Sequence, residues 1–239
     1  MHVWLPALVG LLAGTVQGAS GFGAGMVAMA LLPFVWTLQQ SAAVMSGLGL
    51  AITSTLAWQL RHEIRRDELL RLTLPCVVGV PVGVVFLTSL DGDLVKAGLG
   101  AVLVGYGLYA LFGREPETLS TGWGWPIGLV AGMLSGAFQT SGPPVVAYLT
   151  ARGLEKDAFR GTLQAFFLLQ GLMAVGSYAT AGIVDAQTLL WSAAMVPTVL
   201  AGTFLGHKLA GKVDQDTFRT CILVGLLGLG CMFLWKGLA

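Results

Sequence analysis

Charged side chains are scarce in this chain. Asp, Glu, Lys and Arg make up 10% of its 239 residues, while hydrophobic residues make up 55%; a soluble domain usually carries about 25% charged residues. No interval between apolar segments exceeds about fifteen residues, which excludes a separate soluble domain. Uncharged stretches of roughly 20 residues recur from end to end, so the sequence predicts an all-α polytopic membrane protein.

Side chains that bind metals or carry out catalysis are also few. Cys76, Cys221 and Cys231 lie in apolar segments without CxxC spacing or a nearby histidine, so we expect buried, inert thiols. No Asp, Glu, Lys or Arg lies in the middle of an apolar segment, which leaves no acid–base pair or activated nucleophile in the membrane. We therefore predict that the protein is not an enzyme and has no catalytic residues, metal, cofactor or nucleic-acid partner.

Six apolar segments have the length of about 20 residues that a membrane core of about 30 Å requires. They are Ser41–Leu60, Leu69–Leu90, Leu94–Phe112, Ala158–Ala181, Ala186–His207 and Thr217–Trp235. Two further segments, Leu5–Trp36 and Trp123–Arg152, are near 30 residues long and are interrupted by glycines. Each is either one long kinked helix or two half-helices that enter and leave the membrane on the same side.

The positions of the positive charges distinguish these two alternatives. If both broken segments cross the membrane, the 13 Lys and Arg residues divide 6 to 7 between its sides. If both are re-entrant, 11 fall on one side and only Lys96 and Lys236 on the other. The 11 are Arg61, Arg65, Arg66, Arg71, Arg114, Arg152, Lys156, Arg160, Lys208, Lys212 and Arg219. The positive-inside rule favours the unequal division, so we predict six crossings, two re-entrant hairpins and both termini outside the cytoplasm.

The glycine-rich interruption occurs twice. Residues Gly10–Gly25 read GLLAGTVQGASGFGAG and residues Gly128–Pro144 read GLVAGMLSGAFQTSGPP, so a shift of 118 positions superposes three glycines. Irregular backbone in a membrane persists only where it lines a cavity or is buried in protein, because unpaired N–H and C=O groups are costly in lipid. Close helix packing is the alternative explanation of the glycines. The repetition, the added polar residues and the Pro-Pro pair favour a paired break, which indicates a transporter's binding site.

The two halves of the chain also match beyond these breaks. Gly79-x3-Gly83 followed by Asp91-Gly-Asp93 matches Gly202-x3-Gly206 followed by Asp214-Gln-Asp216, at a shift of 123 positions. Small residues at this spacing predict close approach of helix backbones. Three crossings in each half insert the second copy upside down. We therefore predict one transmembrane domain of two inverted repeats, 1–113 and 123–239, each a glycine-broken re-entrant hairpin followed by three transmembrane helices.

Each break is predicted to end at the N-terminus of a half-helix. Met26–Trp36 can resume as a helix after Gly25, and Pro143-Pro144 suits the first turn of the second half-helix. Helix N-termini carry free N–H groups and a partial charge of about +0.5. Two such termini that face each other at mid-membrane would bind an anion.

The candidate substrate-binding residues surround these termini and are uncharged, with one exception. They are Gln17, Ser20, Gly21, Gly23, Gln139, Thr140, Ser141, Gly142, Pro143 and Arg160. Ser20 or Thr140 could instead satisfy broken backbone, and Arg160 is either an attractor of anions at the cytoplasmic mouth or a positive-inside anchor. Gln164 and Gln170 either bridge helices or line the substrate path, and we favour bridging.

The paired motif, of the type Gly-x3-Gly-x3-Gly-x2-Gly-x-Gly/Ala-Gly in halves of about 120 residues, resembles that of the TauE/SafE-type sulfite exporters, or TSUP transporters. The resemblance covers nearly the whole chain. Phe159-Arg160 is also similar to the family, whereas Gln139–Pro144 departs from it by having fewer glycines. The resemblance implies transport of sulfite, organosulfonates or related small anions, driven by an ion gradient.

These observations predict a secondary transporter of small anions, most simply sulfite or an organosulfonate, that works by alternating access with the substrate between the two half-helix N-termini. The alternatives are a carboxylate or other organic-anion transporter and a passive anion channel. We expect a multi-pass protein of a bacterial-type inner membrane. Its expected partners are the anion, membrane lipid, a coupling ion (proton or sodium) and a second copy of the chain.

Overall fold

A computed structural model describes residues 4–113, 118–209 and 215–238. Within these residues the chain is all-helical. The helices are α1 (Trp4–Ser20), α2 (Ala24–Leu31), α3 (Leu38–Gln59), α4 (Arg66–Ser89), α5 (Gly92–Phe112), α6 (Gly124–Phe138), α7 (Gly142–Ala151), α8 (Lys156–Thr180), α9 (Ala186–Leu209) and α10 (Gln215–Leu238). Short 3-10 turns at Leu32–Phe34 and Thr121–Trp123 continue α2 and precede α6.

Six helices are long and apolar enough to cross a membrane. They are α3, α4, α5, α8, α9 and the part of α10 from Thr220 to Leu238. Each predicted span agrees with one of them to within a few residues, so the prediction of an all-α polytopic membrane protein is confirmed. Arg114, Lys212 and Asp214, which entered the charge count and the repeat comparison, lie outside the described residues.

The cysteines are free, but only Cys76 is buried; Cys221 and Cys231 are exposed. The expectation of three buried thiols is therefore wrong for two of them. The reason is that α10 packs against α5 along one face, with Gly230 beside Leu103, and the two exposed cysteines lie on apolar sequence that this face does not cover.

Each glycine-broken segment consists of two separate helices rather than one kinked helix. In the first, α1 and α2 are separated by Gly21–Gly23, where Gly21 has φ 83° and Gly23 has φ 100°. In the second, α6 and α7 are separated by 139–141, and Gln139 itself adopts a left-handed φ of 54°. The helix after the first break begins at Ala24, two residues before the predicted Met26, so Gly25 belongs to its first turn.

Each of these helix pairs begins and ends at the same end of the bundle. Near the end of α7, the Arg152 guanidinium donates to the carbonyl oxygen of Leu119 at 2.9 Å, just before α6 begins. At the other pair, Trp36 stacks on Trp191 of α9 with ring centroids 4.6 Å apart. Gly10 of α1 lies beside Met195 of α9. Trp191, one turn before Met195, is therefore level with the start of α1.

The regularly spaced glycines of α1 pack against the backbone of α9. A Cβ at Gly14 would overlap the carbonyl oxygen of Val199 and lie 2.9 Å from the amide nitrogen of Thr203. In return, Gly202 and Gly206 of α9 lie against the backbone of α1. The two helices are parallel, since residue numbers rise together along the contact.

The same arrangement joins α6 to α4. A Cβ at Gly132 would lie 3.0 Å from the Cα of Cys76 and 3.1 Å from that of Gly79, and Gly83 lies against the backbone of Met133. The predicted close packing at Gly79, Gly83, Gly202 and Gly206 is therefore confirmed. Close packing is also what the structure shows for the three superposed glycines of each break, at positions 10, 14, 18, 128, 132 and 136.

Two further helix pairs join the halves of the chain in antiparallel fashion. In the α3–α8 pair, Leu50 lies beside Gly171 and Leu60 beside Gly161. In the α5–α10 pair, Gly100 lies beside Leu234 and Gly107 beside Leu227. All four main pairs thus combine one helix from each half, so that neither half can bury its apolar faces alone.

One buried carboxylate fastens the end of α7 to α4. Glu68 is 6% exposed, accepts a hydrogen bond from the Tyr148 hydroxyl, and lies 2.9 Å from Nε of Arg152. Arg71 lies within 3.8 Å of the same carboxylate. Because Arg152 follows α7 directly, these contacts hold the end of the second hairpin against the start of α4.

We expect Gly14→Ala to destabilise the protein and Gly176→Ala to leave it unchanged. The methyl group at Gly14 meets the α9 backbone, whereas a Cβ at Gly176, also inside a helix, meets nothing within 4 Å. Thermal unfolding of the detergent-solubilised variants measures the difference. Equal melting temperatures for the two variants would contradict the α1–α9 contact.

We also expect Glu68→Gln to cost about 1–3 kcal/mol, since hydrogen bonds to a charged group are lost at a buried site. Asp93→Asn is the matched control, because the Asp93–Lys96 pair is exposed and such pairs contribute at most about 1 kcal/mol. Thermal unfolding again provides the measurement. A Glu68→Gln variant as stable as Asp93→Asn would show that the cluster does not fasten α7.

Candidate functional site

A cavity of about 60 Å³ lies between the two breaks. A water molecule needs roughly 15 Å³ on this measure, so the cavity has room for a few waters or one small anion. Its lining residues are Gln17, Gly23, Ala24, Gly25, Met26, Met45, Ser46, Gly49, Ile52, Thr53, Gln139, Thr140, Ser141, Gly142, Phe167, Gln170 and Gly171. The walls therefore come from both breaks and from the middle of α3 and α8.

Six of the ten predicted site residues line this cavity. They are Gln17, Gly23, Gln139, Thr140, Ser141 and Gly142. The structure brings these two sets together from positions more than 100 residues apart in the chain. Ser20, Gly21, Pro143 and Arg160 do not belong to the lining.

The first break is held by two glutamine side chains. Gln17 donates from Nε2 to the carbonyl oxygen of Gly21 at 3.2 Å and accepts from the amide of Ala24 at 3.2 Å. Gln164 of α8 donates to the same Gly21 carbonyl at 2.8 Å. Both ends of the Gln17 amide are thus committed to the backbone, and Gln164 bridges helices as favoured.

The second break is held by a different pair of side chains. Gln139 donates from Nε2 to the carbonyl oxygen of Ser135 at 3.0 Å and lies 3.2 Å from the Tyr178 hydroxyl. That hydroxyl lies 2.8 Å from the carbonyl oxygen of Gly136, and Tyr178 is fully buried. Sequence reasoning did not single out Tyr178, because nothing in its apolar context signals a contact 40 residues away.

The four predicted residues outside the lining have other surroundings. Ser20 is exposed, and its hydroxyl lies 2.7 Å from the carbonyl oxygen of Val16 and 2.6 Å from that of Phe22. Ser20 thus satisfies broken backbone, as its alternative reading held. Arg160 is half-buried in the first turns of α8, about 10 Å of helix rise before the lining residue Phe167.

Two side chains in the lining carry buried polar atoms without a hydrogen-bond partner in the described part of the chain. They are Oγ1 of Thr140, a residue 1% exposed, and Oε1 of Gln170, 6% exposed. Buried polar groups are nearly always paired, so these two can be satisfied by an occupant of the cavity. Gln170 therefore lines the cavity, and within the described residues it forms no hydrogen bond that bridges helices, contrary to the prediction that we favoured. By contrast, the hydroxyls of Ser46 and Thr53 bond back to their own helix.

The two half-helix N-termini differ in what they offer an anion. At α2 the amide of Ala24 is taken by Gln17, which leaves the N–H groups of Gly25 and Met26 in the first turn. At α7 the first turn contains Pro143 and Pro144, which have no N–H. Gly142 is the first-turn residue that still has one there.

Glycine is required where the breaks meet. A Cβ at Gly25 would overlap the carbonyl oxygen of Gln139, and a Cβ at Gly142 would lie 3.2 Å from the ring of Phe22. The two breaks consequently touch across the cavity. This contact fixes the distance between the half-helix N-termini.

The lining is uncharged and contains no titratable side chain. Its polar wall consists of backbone amides, hydroxyls and the side-chain amides of three glutamines. Its apolar wall includes Met26, Met45, Ile52 and Phe167. No cluster of metal-ligating side chains occurs in residues 4–113, 118–209 and 215–238. Attraction for an anion must therefore come from helix dipoles and neutral hydrogen-bond donors.

Comparison with known proteins identifies the family of the chain. The sequence profile of the family described as "Sulfite exporter TauE/SafE" matches residues 6–233. The chain is 29% identical over 252 aligned positions to the "Probable sulfite/organosulfonate exporter TauE" of Cupriavidus necator, covering 96% of this chain and 92% of that protein. It is 27% identical to the "Probable inner membrane transporter protein TsaS" of Comamonas testosteroni, covering 66% of this chain and 69% of the relative. No solved structure matches the chain.

Proposed function

The chain belongs to the sulfite exporter TauE/SafE family of membrane transporters, and from this premise we propose that it carries a small anion, most simply sulfite or an organosulfonate. The observation that carries the proposal is the uncharged cavity in which the Thr140 hydroxyl has no partner. The Gln170 amide, whose Oε1 is also without a partner, can turn to present its NH2 group to an anion. Gly25, Met26 and Gly142, the first-turn residues of the two half-helices that keep an unpaired N–H, line the same cavity. An anionic oxygen there would satisfy the donors without any cationic side chain.

We propose that transport proceeds by alternating access between two inverted repeats, 1–113 and 123–239. The support is the direction of equivalent helices: α3 is antiparallel to its counterpart α8, and α5 is antiparallel to its counterpart α10. Each half also begins with a pair of short helices whose outer ends lie together. In a membrane, such a pair enters and leaves on one side and is a re-entrant hairpin.

The proposed site consists of the cavity residues of both breaks. Thr140, Ser141, Gly142 and Gly25 contact the anion, and Gln170 closes the cavity from α8. Gln17 and Gln139 support the site indirectly, because their side-chain amides form hydrogen bonds that fix the backbone of the breaks. Ser20, Gly21, Pro143 and Arg160 are left out of the contact set.

We further propose a location in a bacterial inner membrane with both termini outside the cytoplasm. The relative from Comamonas testosteroni is named as an inner membrane transporter, and the unequal division of positive charge supports the orientation. The positively charged face includes Arg65, Arg152 and Arg160.

Cysteine accessibility tests this orientation. In a variant whose three cysteines are replaced by alanine, single cysteines at Gln39 and Arg65, both exposed positions, are labelled in intact cells with a membrane-impermeant maleimide. We expect labelling at position 39 only, with position 65 labelled after the membrane is made permeable. Labelling of both positions in intact cells would refute the proposed topology.

Ligand stabilisation tests the substrate and the site together. A panel of sulfite, sulfoacetate, taurine, formate and acetate is added to purified protein, and thermal unfolding is measured. An anion at 100 times its Kd adds about 2.7 kcal/mol of stability, so we expect sulfite or a sulfonate to raise the melting temperature. A response to formate and acetate alone would favour the carboxylate transporter.

Ser141→Leu is expected to abolish this stabilisation and the uptake of labelled anion into liposomes. The reason is that Ser141 is 2% exposed and a leucine side chain would fill the cavity. Ser54→Leu is the matched control, because Ser54 is exposed on α3 and its hydroxyl bonds only to its own helix. Equal uptake by both variants would overturn the site, and flux that does not saturate would favour a passive channel.

A further inference from the structure

We infer that the cavity accepts anions with a single negative charge and rejects dianions, so that hydrogen sulfite or a sulfonate without a second acid group is carried and sulfate is not. The inference rests on the proposed anion transport and adds the charge state of the substrate. It concerns the balance between the cost of removing the anion from water and the attraction that this cavity supplies.

The attraction comes from dipoles alone. Within the described residues, no Lys, Arg or His lines the cavity, and Arg160 lies two turns of α8 before Phe167. The donors in the lining include the N–H groups of Gly25, Met26 and Gly142, the hydroxyls of Thr140 and Ser141, and the NH2 group of Gln170. Two prolines remove the N–H groups that would otherwise complete the α7 terminus.

Doubling the charge of the ligand changes the cost of removing it from water and its attraction to the cavity unequally. The cost of moving an ion out of water rises with the square of its charge, so a dianion costs about four times as much as a monoanion of the same size. Attraction by fixed dipoles rises only in proportion to the charge. A site with a lysine or arginine could make up the difference, but this lining has none. The cavity is therefore matched to a monoanion.

A co-bound cation is the other way to accommodate a dianion. The lining contains no carboxylate to hold such a cation, and the described residues contain no cluster of carboxylate, histidine or cysteine side chains to hold a metal ion. The neutral amide of Gln170 can turn to present either its oxygen or its NH2 group, so it adapts to a protonated or a fully deprotonated oxygen of a monoanion.

The test compares methyl sulfate with sulfate, which share a tetrahedral sulfur–oxygen group and differ by one charge and a methyl group. Thermal unfolding of the purified wild-type protein is titrated with each, and methanesulfonate serves as a second monoanion. We expect the two monoanions to bind at least 100-fold more tightly than sulfate. Sulfate binding within threefold of methyl sulfate would overturn the inference while leaving anion transport intact. Stabilisation by none of the three anions, nor by sulfite, would overturn both.

A variant that adds a positive charge to the cavity provides a second test of the inference. Gln170→Lys introduces a cation into the lining, and we expect it to raise the affinity for sulfate relative to methyl sulfate at least tenfold. Gln59→Lys makes the same exchange at an exposed position at the end of α3 and should leave the ratio unchanged. An unchanged ratio in a folded Gln170→Lys protein would overturn the inference. If that variant does not fold, the wild-type comparison alone decides.

Discussion

The structure depends on one constraint: backbone N–H and C=O groups cannot stay unpaired inside a membrane. Gly21–Gly23 and residues 139–141 interrupt two helices, and each interruption exposes such groups. Side-chain amides and one tyrosine hydroxyl meet most of this need, with Gln17 and Gln164 at the first break and Gln139 and Tyr178 at the second. Gly25, Met26 and Gly142, whose first-turn N–H groups these side chains leave unpaired, line the cavity. The proposed binding site is thus the part of the breaks whose hydrogen bonds the protein does not supply itself.

Close packing makes these interruptions tolerable. Because Gly14 and Gly132 lack a Cβ, α1 and α6 approach the backbones of α9 and α4. The short helices are thereby covered by full-length spans from the opposite half of the chain. A hairpin of short helices has little apolar surface of its own, so this cover supplies the burial that its length cannot. The glycines therefore serve the site indirectly, through the position of the helices that end at it.

Most of the architecture could be predicted from the sequence, because hydropathy and the absence of charge determine which helices can span a membrane. The two breaks were also predictable, since glycine and proline mark irregular backbone. Which glycines allow close helix packing and which allow a turn could not be predicted, because both kinds differ from other residues in the same way, by the missing Cβ. Phe167 and Gly171 escaped notice because only the packing of α8 on α3 brings them to the cavity. Tyr178 needed the tertiary structure for the same reason.

Pro143 and Pro144 have a consequence for the transport cycle as a whole. Two identical breaks would hold an anion midway between them and present the same affinity to both faces of the membrane. The prolines leave α7 with fewer free N–H groups than α2, so in the proposed site the two hairpins would hold the anion by different donors, N–H groups on the first and mainly hydroxyls on the second. For a carrier that works as proposed, this difference would make the half-saturating concentrations on the two faces unequal, although the equilibrium ratio of substrate stays with the driving gradient. Export and import would then saturate at different substrate levels, a form of kinetic rectification.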